Sequence, residues 1–141
     1  MSASGFSPAV RAFLQGKEVV TLATVQPDGS PLAMAMWLLP EPDGIVMISV
    51  DGLGKVRNLR RDPRVCVLAE AGTRGDVRGV AVQGRAEFLA EGEERRRLVE
   101  RFLRRYDPDL ARLWGGSSMP ANRVMFRVVP RRIRSWGLGE R

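Results

Sequence analysis

The sequence contains no histidine. That absence removes the commonest general base and the commonest metal ligand at neutral pH. There is a single cysteine, Cys66. Zinc sites of the Cys/His kind are therefore excluded, as are serine–histidine and cysteine–histidine nucleophile pairs. Haem loses its usual axial ligand by the same count. No internal disulfide can form, and Cys66 sits in the apolar run Val65–Ala69, where a buried, inert thiol is expected. Lysine occurs only at Lys17 and Lys55. Aromatic residues are 6% of the chain and are not interleaved with the arginines, which argues against the stacking platforms of a nucleic-acid-binding barrel. No apolar run approaches the roughly 20 residues of a membrane-spanning helix. The first residues, MSASGFSPAVRAFLQGKE, lack the basic start and apolar core of a secretory signal. These absences predict a cytoplasmic protein with no metal site, membrane or nucleic-acid partner. If it is an enzyme, a cofactor carries the chemistry.

What is present suits one domain over residues 1–141. The net charge of +7 is nearly all arginine and favours an anionic partner. Residues 7–15 read as a short helix, with Ser7 as N-cap, Pro8 at the first position and Gly16 at the end. Strands are predicted at Glu18–Val25, Pro31–Leu39 and Ile45–Val50. The turns Pro27-Asp28-Gly29 and Pro42-Asp43-Gly44 separate them, so an antiparallel meander is expected. A short basic helix follows over Asp51–Asp62 and is stopped by Pro63. Arg64–Glu70 reads as a central or covered strand. Ala71–Gly79 is turn-like, and Val80–Phe88 is a strand with one wet face and a candidate bulge at Gly84. Glu91–Tyr106 is the clearest helix. A second short helix ends at Leu113, before the flexible loop Trp114–Pro120. Strands at Asn122–Val129 and Arg132–Leu138 flank a turn or bulge at Pro130. The total is about seven mainly antiparallel strands with a few helices, a mostly β chain best closed as a split barrel.

The most specific local feature is the run Ser49-Val50-Asp51-Gly52-Leu53-Gly54-Lys55-Val56-Arg57-Asn58. A strand ends in serine, a glycine turn follows, and a helix opens on a lysine and an arginine. Free N–H groups at a helix N-terminus, full charges at Lys55 and Arg57, and the Ser49 hydroxyl would suit a phosphate. A solvated basic helix face is the plainer alternative. Neither the P-loop nor the dinucleotide glycine pattern is present.

Several stretches resemble the pyridoxamine-phosphate-oxidase-like split-barrel flavin and deazaflavin oxidoreductases. They are Leu22–Pro31, the Met34–Trp37 strand, Gly54–Val65, Gln83–Glu87, Asn122–Pro130 and Ser135–Gly137, in the family's order and over most of the chain. The branch they most resemble is the small proteins that bind the deazaflavin coenzyme F420. The resemblance implies a homodimer with two cofactor sites at its interface. It implies phosphate contacts from Ser49, Lys55, Val56, Arg57 and Asn58. The cofactor ring would lie against Met34, Ala35, Met36 and Trp37, and the partner copy would contribute Arg78, Asn122 and Trp136. One departure is the segment Gly75–Gly79, which lacks the aromatic residues some relatives show there.

Each aromatic also has a plain structural reading. Trp37 suits dimer core or ring platform, Trp136 suits structure, and Trp114 suits a mobile lid. Tyr106 could donate a proton, but its helical spacing favours the core. Met34 and Met36 can simply fill the barrel.

The resulting expectation is an F420-dependent oxidoreductase that passes a hydride to a small unsaturated organic substrate, with no side chain acting as nucleophile. FMN is the alternative cofactor, favoured less because Lys55, Arg57, Arg60 and Arg61 would also suit an anionic polyglutamate tail. A non-catalytic flavin or deazaflavin binder is a further alternative on the same site.

Overall fold

The computed structural model describes residues 5–139. Residues 1–4 and 140–141 lie outside the described residues. They include the start of the stretch read above for a secretory signal and the last residues of the single domain. Among the described residues no helix is long and apolar enough to cross a membrane.

The chain opens with helix α1 (Pro8–Gln15), where the Ser7 hydroxyl accepts the Val10 N–H at 3.2 Å. Strands β1 (Val20–Val25) and β2 (Pro31–Met36) then form a hairpin through Pro27-Asp28-Gly29. Gly29 takes the positive φ of 88° that this turn requires. Strands β3 (Leu39–Glu41) and β4 (Gly44–Val50) form a second hairpin around Pro42-Asp43. Helix α2 (Gly54–Arg61) leads into β5 (Arg64–Thr73) and β6 (Asp76–Phe88). Helices α3 (Glu93–Arg105) and α4 (Asp109–Trp114) precede the long final strand β7 (Arg123–Trp136).

All seven strands form one sheet in the order β2-β1-β5-β6-β7-β4-β3 with antiparallel pairs. The meander read from the sequence does not form. The predicted strand Pro31–Leu39 breaks after Met36, and its two pieces lie at opposite ends of the sheet. Only Trp37 and Leu38 connect them. Three residue steps span at most roughly 11 Å, so the two edges meet and the sheet curls into a barrel split between β2 and β3.

Two other predicted boundaries shift. The glycine-rich segment Ala71–Gly79 extends the β5–β6 hairpin as far as the Thr73–Asp76 pair instead of forming a loop. The two final strands are one, because Pro130 sits in a bulge rather than at a turn. The register shifts between Gln83 and Gly84, opposite Pro130. A Cβ on Gly84 would stand 2.2 Å from the Val129 carbonyl oxygen, so only glycine allows this approach. The predicted bulge at Gly84 is thus present.

Leu22, Ile45, Met47, Val67, Val80, Val82, Phe126 and Val128 fill the barrel, with Leu59 of α2 packed among them. A second cluster joins Leu39, Val46 and Met125 on the sheet to Leu98, Phe102, Tyr106 and Leu110 on α3, α4 and their junction. Strand β4 therefore buries both faces. Strand β5 is central in the sheet order, yet only Val65, Val67 and Ala69 are buried while Cys66 and Leu68 are half-exposed.

Candidate cofactor cleft

The break after β2 brings three elements to one place. Ala35, Met36 and Trp37 come from the end of β2, Ile48, Ser49 and Val50 from the end of β4, and Leu53 and Lys55 from the start of α2. Arg123 joins them because β7 pairs with β4 in the register Val50–Arg123. Helices α3 and α4 close the far side with Phe102, Leu110, Leu113 and Trp114. The cavity holds about 240 Å³.

Its polar end is unsatisfied. Ser49 is 6% exposed, and its Oγ has no hydrogen-bond partner among the described residues. A buried hydroxyl without a hydrogen bond costs about 1–3 kcal/mol, so Ser49 is free to bond whatever enters the cleft. Lys55 is 9% exposed and, among the described residues, has no ion-pair or hydrogen-bond partner for its ammonium. Burial pushes its pKa below the ordinary lysine value. Leu53 occupies the N-cap of α2 and offers no side-chain acceptor. The Arg57 N–H is the first to bond, to the Leu53 carbonyl at 3.0 Å. The N–H groups of Gly54, Lys55 and Val56 therefore lack intrahelical partners. Three kinds of donor thus converge: a hydroxyl, a desolvated cation and the positive end of a helix.

Not every predicted residue reaches this cleft. Val56 is fully buried, so its side chain secures the helix and only its backbone N–H is available. Asn58 is also occupied: its Nδ2 donates to Thr24 Oγ1 and its Oδ1 accepts from Arg61, each at 3.0 Å. Arg57 is exposed and donates to the Gly52 carbonyl, closing the turn before the helix. Arg60 lies over the Phe88 ring and pairs with Asp51 at 3.4 Å, and Arg61 also donates to the Val25 carbonyl. The helix's arginines are therefore largely engaged by the chain itself.

Met34 is 38% exposed at the open edge and does not line the cavity. Asn122 stands beside it: its carbonyl accepts the Asp51 N–H at 2.7 Å and its Oδ1 accepts from Arg123 at 2.6 Å. A single chain does not bring Arg78 or Trp136 to the cleft. Arg78 pairs with Asp76 at 3.5 Å, and Trp136 lies across Gly79, where a Cβ would stand 2.5 Å from the indole Cζ2. Trp37 does line the cleft and stacks on Tyr106, ring centroids 4.3 Å apart and planes 7° apart.

Sequence reasoning missed Arg123 and, apart from Trp114 as a lid candidate, the α3–α4 wall. The position of Arg123 depends on strand register. Leu110, Leu113 and Trp114 come together only when α4 packs over the barrel. Trp114 was read as the start of a loop, and it is the last residue of α4.

Strand ends and a helix N-terminus thus meet at the split of the barrel in a cleft that is apolar apart from its anion-accepting end. The chain belongs to the pyridoxamine 5'-phosphate oxidase family, whose sequence pattern matches residues 6–137. Among curated proteins the sequence has no match. Among solved structures it is similar to the conserved hypothetical protein Rv2991 of Mycobacterium tuberculosis, with 34% identity and a TM-score of 0.80. That match covers 99% of this chain and 91% of the other. A FAD-binding protein of Mesorhizobium loti shares the fold at 22% identity and TM-score 0.70, covering 92% of this chain and 94% of that one. An F420 reductase does so at 22% identity and TM-score 0.66, covering 92% and 98%.

Proposed function

We propose that the cleft binds a phosphate-bearing isoalloxazine-type cofactor, coenzyme F420 in the first instance, and that the protein is an oxidoreductase acting on a small unsaturated organic substrate. The observation that carries this reading is the unpaired Ser49 hydroxyl beside the buried, unpaired Lys55 at the uncapped start of α2. A phosphate would satisfy all three at once. The bound cofactor supplies the hydride chemistry. Ser49, Lys55 and Arg123 hold the anion, Ala35, Met36 and Trp37 flank the ring, and the α3–α4 wall excludes water. Members of the same fold include an F420 reductase and a FAD-binding protein, which supports this cofactor class.

The reading includes a homodimer. A cavity of about 240 Å³ falls below the roughly 300–1,000 Å³ of complete ligand pockets, which is what a half-site would look like. Ala35, Thr21, Leu68 and Ala81 are in register across β2, β1, β5 and β6, as are Ala33, Ala23, Cys66 and Gln83. Leu68, Cys66, Ala23 and Ala81 there are half-exposed. A partly exposed face of mostly small side chains suits a second copy, which would bring its Arg78 and Trp136 to the ring.

FMN is the second reading, and one observation favours it. Arg57, Arg60 and Arg61 are engaged within the chain, so little free charge is left for a polyanionic tail. Fluorescence titration of the apo-protein with F420 and, in parallel, FMN separates the two. Saturable F420 binding at one site per chain with weak FMN binding supports the first reading. The reverse preference makes the protein a flavoprotein on the same site. Binding of neither overturns both, and turnover with candidate acceptors separates an enzyme from a carrier.

A further inference from the structure

Tyr106 caps α3 and does not line the cleft. Its hydroxyl lies 2.8 Å from the Glu18 carbonyl and 2.9 Å from the Leu38 carbonyl, and accepts the Leu38 N–H at 2.9 Å. A phenol has one proton and two lone pairs, so this hydroxyl donates to one carbonyl and accepts the amide. Leu38 needs that partner. It is fully buried, β2 has ended at Met36, and β3 begins only at Leu39. Among the described residues no neighbouring strand takes its backbone groups, and a buried peptide without partners would turn toward water. Trp37 would turn with it. The Tyr106 ring acts on the same residue, because a near-parallel stack at 4.3 Å and 7° sets the indole plane. On the other side Phe102 continues the stack at 6.2 Å and 20°.

We propose that Tyr106 is a positioning residue that fixes Trp37 as a wall of the cleft, by its stack on the indole and its hydroxyl clamp on the Trp37–Leu38 crossover. Ligand affinity then depends on a side chain the ligand does not touch. The affinity part of this inference rests on the cofactor reading above.

Tyr106→Phe keeps the ring and removes the hydroxyl. Leu98→Ala, in the same apolar cluster two turns earlier on α3, is the control for a general loss of stability. Trp37 is observed alone in a Trp114→Phe, Trp136→Phe background by acrylamide quenching without ligand. Cofactor affinity is measured with the native tryptophans. In Tyr106→Phe, quenching of Trp37 rises and F420 or FMN binds about fivefold more weakly, the size of one lost hydrogen bond. Leu98→Ala lowers Tm and changes neither readout. The proposal is overturned if folded Tyr106→Phe quenches like the parent, if Trp37 is released with affinity unchanged, or if Leu98→Ala moves both readouts equally. If the native protein binds neither cofactor, the cofactor reading fails, and the ligand-free quenching comparison still decides whether Tyr106 positions Trp37.

Discussion

Arg127 and Lys55 are both charged side chains drawn largely out of water, at two places that are treated in opposite ways. At one, Arg127 of β7 donates to Glu41 through Nε at 2.7 Å and Nη2 at 3.3 Å, and to Glu94 of α3 at 2.9 Å. Arg101 adds a contact to Glu41 at 4.0 Å. The Glu41 hydrogen bonds, first of all, hold the Arg127 pKa well above the ordinary arginine value. At the other place, Lys55 and Ser49 are comparably enclosed and have no partner among the described residues. Both sites lie where strand ends meet a helix. The saturated one binds β3, β7 and α3 together, whereas the unsaturated one withholds its bonding capacity from the fold. At Arg127 burial serves the architecture, and at Lys55 and Ser49 it leaves bonding capacity facing the cleft.

The largest effect expected from breaking this contrast is on stability. Arg127→Met strands Glu41, which is 13% exposed. It should lower unfolding free energy by about 2 kcal/mol in a denaturant melt, less than for a fully enclosed pair because Glu94 is open to solvent. Cofactor affinity should not change. Lys55→Ala should do the reverse, weakening F420 or FMN binding more than about tenfold, as expected for a charge-assisted contact, with stability unchanged or raised. Unchanged affinity would remove the phosphate assignment.

The sign of the lysine's pH dependence follows from its burial. The folded-state pKa lies below the ordinary 10.5, so the folded protein holds this proton less tightly than the unfolded chain. Lys55 therefore opposes folding at neutral pH, and the opposition fades as pH rises through its folded pKa. An anionic ligand restores the charge. Affinity should fall as pH climbs through that lowered value, and Lys55→Arg should flatten the profile.

Ser49→Ala is expected to weaken binding by about fivefold while leaving Tm unchanged or slightly higher, since it deletes a hydroxyl the fold does not use. The smallest effect belongs to an exposed pair. Arg64 hydrogen bonds pull the Asp62 carboxyl down to about 2, so its small contribution is present above pH 3.8 and is lost as pH falls through about 2. An NMR titration of Asp62 and of Asp62 in Arg64→Gln measures it directly.

The sequence was readable wherever the determining contact is local. Ser7 caps its own helix and Pro27-Asp28-Gly29 closes its own hairpin. Ser49 and Lys55 stood out because strand end, turn and helix start are contiguous. The break after Met36 was hidden because the group that replaces the ladder partner of Leu38 belongs to Tyr106, 68 residues away. Pro130 reads equally as a turn or a bulge, and only the pairing of β7 with β6, where the register shifts beside it, decides for the bulge. Asn58 was placed on the right helix, but a side chain's partner depends on what packs against the helix, in this case Thr24 of β1.

The two-residue seam at Trp37-Leu38 also constrains the order of assembly. The β1–β2 and β3–β4 hairpins pair nearby residues and can form as soon as they are synthesised. The seam between them cannot be sealed then, because β5, β6 and β7 supply the sheet between its edges and Tyr106 supplies the clamp. During synthesis the two hairpin segments therefore stay unsealed from each other. The cleft and the closed barrel arrive together, late, and only once β7 has been made.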